Sequence, residues 1–357
     1  MPKLFIPGPT DVNPEVLEAQ AHPMIGHRSK ECVDLIGRIH PKLQQVFSTQ
    51  ARVFISTSSG TGLQEAAMRN CVSEHVLVAV CGAFGERWFQ VAVDNGLTAD
   101  RLDVEWGKPI TPEQVEAELK TGEYDTLAIV HNETSTGVQN PVAEIARTAR
   151  QINPDIVILI DAVSSAGGVQ IKTDDWDLDV VLTSSQKCFA LPPGLSFAAV
   201  SERALKRAEQ VEHRGWYFDF LRLQRYHERS MTPATPAISL LFALDTQLDR
   251  MLAEGLSNRY RRHQALAEYT RAWGAENFTL FAQEGFRSNT VTTITNIHAI
   301  DVPAMNQYLT AKGMQLANGY GPLKDKTFRI GHMGETSMEE LKHLTQHIES
   351  FMQGQDN

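Results

Sequence analysis

The chain has 357 residues, 42% of them hydrophobic and 21% charged, with 33 basic against 43 acidic side chains for a formal charge of −10. That length exceeds one minimal core and implies two domains or one large domain with an appendage, and the ordinary composition argues against disorder. The acidic balance, with no Lys/Arg cluster interleaved with aromatics, argues against a nucleic-acid partner. No apolar run approaches the roughly 18 residues a membrane-spanning helix needs, so no membrane partner is expected.

The opening stretch, MPKLFIPGPTDVNP, has no charged leader followed by an apolar run and does not read as a signal peptide. Cys32, Cys71, Cys81 and Cys188 form no C-x-x-C pair and read as reduced core residues rather than a disulfide frame or metal site. A cytoplasmic protein without a bound metal is expected. Six apolar, β-branched runs then read as buried strands: VFIST (53–57), HVLVAV (75–80), TLAIVH (126–131), IVILIDAV (156–163), VVLTSS (180–185) and LSFAAVS (195–201). Between them, TGLQEAAMRNCV, PEQVEAELK and VAEIARTARQI carry apolar residues at helical spacing. The alternation predicts an α/β fold with a mainly parallel central sheet covered by helices on both faces. From about residue 237 the pattern changes to two long helices, the strands NTVTTITNI and TFRIGHM, and the amphipathic helix MEELKHLTQHIESFMQG. This predicts an N-terminal segment (1–20), a large domain (21–245) and a smaller C-terminal α+β domain (246–357).

In open parallel sheets, ligands bind beyond the carboxyl ends of the strands. On that rim fall Ser58, Ser59, Gly60, Thr61 and Gly62 after the first strand, Thr134 after the third, Asp161 at the end of the fourth, and Gln186 and Lys187 after the fifth. SSGTG fits a phosphate cradle, because glycines admit an anion to free backbone N–H groups at a helix start. It reads equally as an ordinary N-cap and turn, and it has neither a G-K-[ST] ending nor G-x-G-x-x-G spacing. Asp161 ends an apolar run, where a carboxylate needs a cation or several donors unless it caps the next helix. Lys187 follows it by one crossover and one strand, so the two fit neighbouring strand ends. Phe84, in GAFGERW, reads as a core aromatic or as a ring lying against a flat ligand. Thr134 is a turn residue or a hydrogen-bond partner of a ligand. Arg329, in TFRIGHM, is an exposed edge residue or a bidentate grip on a carboxylate, and Arg28, in MIGHRSKE, is equally ambiguous. An acid, a lysine and an anion cradle on one rim are what pyridoxal 5'-phosphate requires for its ring nitrogen, aldehyde and phosphate.

The series PGPT, MIGHRSKE, SSGTGLQEAA, GAFGERW, HNETSTGV, IDAVSSAGG, SSQKCFALPPG, TPATPAISL and FRIGHMG runs in that order over nearly the whole chain. It resembles the class V aminotransferases of the fold-type I pyridoxal-phosphate enzymes, especially the alanine/serine–glyoxylate (serine–pyruvate) branch, with features of phosphoserine aminotransferases. The resemblance implies Lys187 as the Schiff-base lysine and proton shuttle and Asp161 as partner of the ring nitrogen. It implies Ser59, Gly60, Thr61 and Gln186 around the phosphate, Val163 behind the ring, Phe84 in a stacking place often held by tryptophan, and Thr134 at the phenolic oxygen. Arg329 would hold the substrate carboxylate, and Arg28 matches the His-Arg segment by which phosphoserine enzymes approach substrate. The family implies a homodimer with shared active sites, in which MTPATPA (231–237) of a second subunit supplies Thr232 or Thr235 to the phosphate. Met231 stands where the glyoxylate branch often has tyrosine.

The reaction so implied moves an amino group from alanine or serine to a 2-oxo acid, glyoxylate or pyruvate, in two half-reactions. The alternative is phosphoserine with 2-oxoglutarate. A cysteine desulfurase is disfavoured because no cysteine follows Cys188. A non-catalytic cofactor-binding subunit is disfavoured by the presence of Lys187, Asp161 and Arg329 together.

Overall fold

In the computed structural model, which describes residues 1–354, period-two alternation sets the facing of every central strand. In Val157–Asp161, Ile158 and Ile160 enter one hydrophobic cluster while Val157 and Leu159 enter another on the opposite face. His75–Val80, Thr126–Val130 and Ser196–Val200 divide in the same way. A sheet apolar on both faces has to be covered on both. Lys30–Phe47, Val142–Ile152 and Ile238–Glu254 cover one face; Gly60–Cys71, Ala83–Asp94 and Glu202–Gln210 cover the other. Each fully buried Val, Leu or Ile contributes roughly 1.5–3 kcal/mol, so the strand ends are held firmly from both sides.

The seven strands run in the order Arg52–Ser56, Ser196–Val200, Val180–Ser184, Val157–Asp161, Thr126–Val130, His75–Val80, Thr98–Asp103. Ser196–Val200 is antiparallel to both neighbours, and the other printed pairings are parallel, giving the mainly parallel sheet expected with one reversed strand. Several predicted strands lose residues at their ends: 156–163 stops at Asp161 because Ala162 and Val163 turn away toward the rim. Thr98–Asp103 has no apolar run to betray it; as an edge strand it buries Leu102 alone.

A second sheet of five strands is ordered Lys3–Phe5, Met314–Asn318, Thr327–Gly331, Val291–Thr295, Thr279–Leu280. Its apolar face packs on Leu256–Asn277, Val302–Ala311 and Met338–Gln353. The N-terminal Lys3–Phe5 pairs in parallel with Met314–Asn318, so the beginning of the chain is built into the C-terminal sheet. The end of the expected C-terminal domain, residues 355–357, lies outside the described residues. Phe328 and Ile330 enter the small core, and alternation turns Arg329 to the opposite side, toward the rim of the large sheet.

Candidate active site

Asp161 and Lys187 come from neighbouring parallel strands, since Asp161 is in register with Leu182 of Val180–Ser184. Asp161 is almost fully buried. Its Oδ1 accepts from the Val163 backbone N–H at 2.8 Å and its Oδ2 from Gln64 Nε2 at 2.6 Å. It therefore braces the turn after its own strand and does not cap a helix. Burial raises its pKa to about 6, against the lowering effects of those two donors and of the Lys187 charge. Gln64 belongs to the helix Gly60–Cys71, and its carbonyl is held in turn by Trp88 Nε1 at 3.1 Å.

Lys187 is half-buried as a residue, but desolvation of its amine, followed by the charge of Arg329, lowers its pKa to about 8. Its turn is tied down from several directions. Ser185 Oγ donates to Pro192 O at 2.8 Å, Ala190 N donates to Lys187 O at 2.8 Å, and the buried Arg259 donates to Cys188 O at 2.7 Å. The N-terminal loop lies directly over the lysine. Lys187 Nζ donates to Pro7 O, Thr10 Oγ1 donates to Lys187 O at 3.1 Å, and a Cβ on Gly8 would stand 2.6 Å from Lys187 Cδ. With φ at +109°, that position favours glycine in conformation as well as space.

Ser59 occupies the N-cap position of Gly60–Cys71, but its side chain makes no capping hydrogen bond. The leading N–H groups of this helix thus lack the partner an ordinary N-cap supplies. A Cβ on Gly60 would meet Val163 Cγ2 at 2.5 Å, which brings the half-buried Val163 and the helix start together. Beside them, the buried Ser184 Oγ has no hydrogen-bond partner, nor has Gln186 Oε1. Thr61 follows in the first turn, half-buried.

Phe84 is half-buried at the start of Ala83–Asp94, with Tyr320 at a ring-centroid distance of 5.6 Å and Arg87 Cζ 4.9 Å above its ring. The buried Glu133 fixes this helix start by accepting from the Phe84 and Gly85 N–H groups at 3.1 Å each and from Ser135 Oγ at 2.6 Å. Burial raises the Glu133 pKa despite these donors. Thr134 shares a 2.6 Å hydrogen bond with Ser164, and its carbonyl accepts from Arg329 Nη1 at 3.3 Å. Arg329 lies on an interior strand, 8% exposed, rather than at an edge. Burial lowers its pKa to about 10, and its other hydrogen bond is from Nε to Asn318 O.

Thr232 and Thr235 line a cleft with Ser56 and Thr57, just before the SSGTG turn, and Arg28 is bound to the same segment. The exposed Arg28 donates to the Thr232 and Pro233 carbonyls at 2.6 and 3.1 Å and lies over Tyr226, bracing the 231–237 segment. Thr232 Oγ1 donates to Ala234 O, and Thr235 is exposed. Gln64, Arg87, Tyr320, Ser184 and the Pro7–Gly8 loop are additions that sequence reading missed. A glutamine inside a helix and a tyrosine in a distant loop carry no local signal, although PGPT was already conspicuous among the quoted motifs.

Among known proteins, the family Aminotransferase class-V matches residues 13–342. The chain belongs to that family. An uncharacterized aminotransferase of Methanocaldococcus jannaschii is 41% identical over 345 residues, covering 95% of this chain and 89% of that one. Serine–glyoxylate aminotransferase of Methylorubrum extorquens is 33% identical over 348 residues, covering 93% and 86%. The crystal structure of an alanine–glyoxylate aminotransferase from Nostoc sp. superposes with a TM-score of 0.93 at 30% identity, covering 98% of this chain and 95% of that one. The protein is thus a fold-type I, pyridoxal-phosphate-dependent transaminase, and the chemistry of its residues suits that cofactor. An uncapped helix start beside a partnerless serine hydroxyl suits a phosphate, a desolvated lysine suits an aldehyde, and a buried carboxylate on the next strand suits a ring N–H. Among the described residues no cluster of potential metal ligands occurs and no helix is long and apolar enough to cross a membrane.

Proposed function

We propose that this transaminase moves an amino group between a small amino acid, alanine or serine, and glyoxylate or pyruvate. The observation that carries the site assignment is the pairing of a desolvated Lys187 with the buried Asp161 on the adjacent strand end. The names of the serine– and alanine–glyoxylate relatives support the substrate class. Pyridoxal phosphate, when bound, supplies an electron sink for the carbanion formed at the substrate α-carbon. In this reading Ser59, Gly60 and Thr61 present the helix start to the phosphate, with Gln186 assisting. Val163 and Phe84 take the two faces of the ring, and Thr134 reaches the phenolic oxygen. Asp161 holds a proton on the ring nitrogen. Arg329 grips the substrate carboxylate, and the Lys187 amine, which loses its proton more readily than an ordinary lysine, takes the α-proton and returns it on the other side of the transfer.

The same reading makes the enzyme a cytoplasmic homodimer. Trp216 and Tyr217 are exposed and share a cleft with Thr232 and Thr235, which suits burial of this face against a second copy whose 231–237 segment would complete the phosphate site. The four cysteines are all buried and free, as a reducing compartment allows.

Half-reaction spectra of the purified holoenzyme test the reading. Alanine or serine should abolish the visible band of the covalently held cofactor, and glyoxylate or pyruvate should restore it. Lys187→Ala should lose both that band and turnover, the latter by about 10⁴-fold or more. Persistence of band and turnover in Lys187→Ala would sink it.

A further inference from the structure

The site holds more positive charge than a substrate with a single carboxylate answers. Arg329 is assigned to that carboxylate, and Lys187 faces Asp161. A second guanidinium, Arg87, lies 4.9 Å from the centroid of the Phe84 ring, which also neighbours Tyr320. Arg87 Nη2 donates to Tyr320 Oη at 2.9 Å, and Arg329 Cζ lies 5.5 Å from the centroid of that tyrosine ring. The phenol thus stands between two guanidinium groups. Arg87 is half-buried and Arg329 is buried.

Several other partly or fully buried arginines of this chain are matched by acids, while Arg271 and Arg287 are met by carbonyl oxygens and Arg222 lies over Trp216. Arg259 has Glu254 and Glu335, Arg150 and Arg203 have Asp177 and Asp179, and Arg207 has Asp125. Arg87 has no carboxylate within ion-pair distance among the described residues; its hydrogen bond is to a neutral hydroxyl. Glu133, the nearest carboxylate in sequence to the Thr134 turn, is committed to backbone N–H groups and Ser135. The charge of Arg87 is felt at both Asp161 and Lys187, so it lies within the field of the reacting groups. A half-buried guanidinium without a counter-charge is free to bind a ligand anion by a charge-assisted, bidentate contact.

We propose that Arg87, oriented by Tyr320, is a specificity-determining residue that reads a second anionic group on the substrate side chain, so that donors include amino acids bearing a side-chain carboxylate or phosphate ester. This rests on the transaminase reading above and extends its donor set beyond alanine and serine. It also moves the reading of a second anion from Arg28, whose guanidinium is engaged by two backbone carbonyls, to a residue beside Arg329.

The test compares kcat/KM for the half-reactions of aspartate, glutamate and phosphoserine with those of alanine and serine, in wild-type, Arg87→Leu and Arg87→Lys holoenzymes. The wild type should react with at least one two-anion donor. The ratio of two-anion to one-anion kcat/KM should fall about 100-fold in Arg87→Leu and recover in part in Arg87→Lys. A fall confined to phosphoserine identifies the anion as phosphate, and one confined to aspartate or glutamate identifies it as carboxylate; either supports the proposal. An unchanged ratio, with all donors losing equally, would reduce Arg87 to a structural support of Phe84 and Tyr320 and overturn it. A wild type that turns over alanine and serine but no two-anion donor also overturns it and leaves the transaminase reading standing. A wild type inert to every donor overturns both.

Discussion

Two aspartates of the central sheet are buried to nearly the same degree and are held in opposite ways. Asp179 precedes the strand Val180–Ser184 and is saturated: Oδ1 accepts from Ser201 Oγ and Arg203 Nη1, and Oδ2 from the Ile158 N–H and Arg150 Nη2. Asp161, at the far end of the neighbouring strand, has one amide donor and one backbone N–H, and the cation beside it makes no hydrogen bond to it. Saturation of a buried carboxylate by arginines serves the fold, because every lone pair is used and nothing remains for a ligand. Burial, which its two donors offset only in part, raises the pKa of Asp161 to about 6 and leaves a carboxylate able to take one more donor. The comparison separates a structural acid from a site acid by their partners, which burial alone does not do.

Exchanging each acid for its amide should break the comparison most visibly. Asp161→Asn should lower kcat by about 10³-fold with little change in unfolding free energy. Asp179→Asn should lose about 3 kcal/mol of stability, because two guanidinium groups are left near a neutral amide, while the folded fraction keeps its turnover. Urea unfolding together with half-reaction rates reads both, and a stability loss in the first with normal turnover would reverse the assignment. A smaller effect is expected at Gln64, which acts through Asp161. Gln64→Leu removes a donor to the charged form, so the acid limb of the pH–kcat/KM profile should move upward and kcat/KM should drop about 10-fold. An unmoved limb would show that Gln64 only packs.

The sequence revealed what breaks a pattern. Asp161 and Lys187 interrupt or follow apolar, β-branched strands, and SSGTG opens a helix, so their places on the rim were readable before any geometry. The same logic failed where no pattern was broken. Thr98–Asp103 is polar because it lies at an edge, and Gln64 sits among the ordinary polar positions of an amphipathic helix. Tyr320 and Arg329 reach the rim only because the small sheet turns one face toward the large one, a packing relation absent from local periodicity. Arg329 was ambiguous for that reason: a strand arginine reads as an edge residue until its two flanking strands are known. Arg28 was readable as a cation near a site, but its commitment to the 231–237 carbonyls depends on a contact between segments far apart in the chain.

The claim that Lys187 is the reactive amine is tested most directly by capture of pyridoxal phosphate by the cofactor-free protein, trapped with borohydride over a range of pH and mapped by mass spectrometry. Only the neutral amine attacks, and burial disfavours the charged form, so capture should rise with pH through a midpoint near 8, with the label on Lys187. A label on another lysine, or a midpoint near the ordinary lysine value of 10.5, would contradict it.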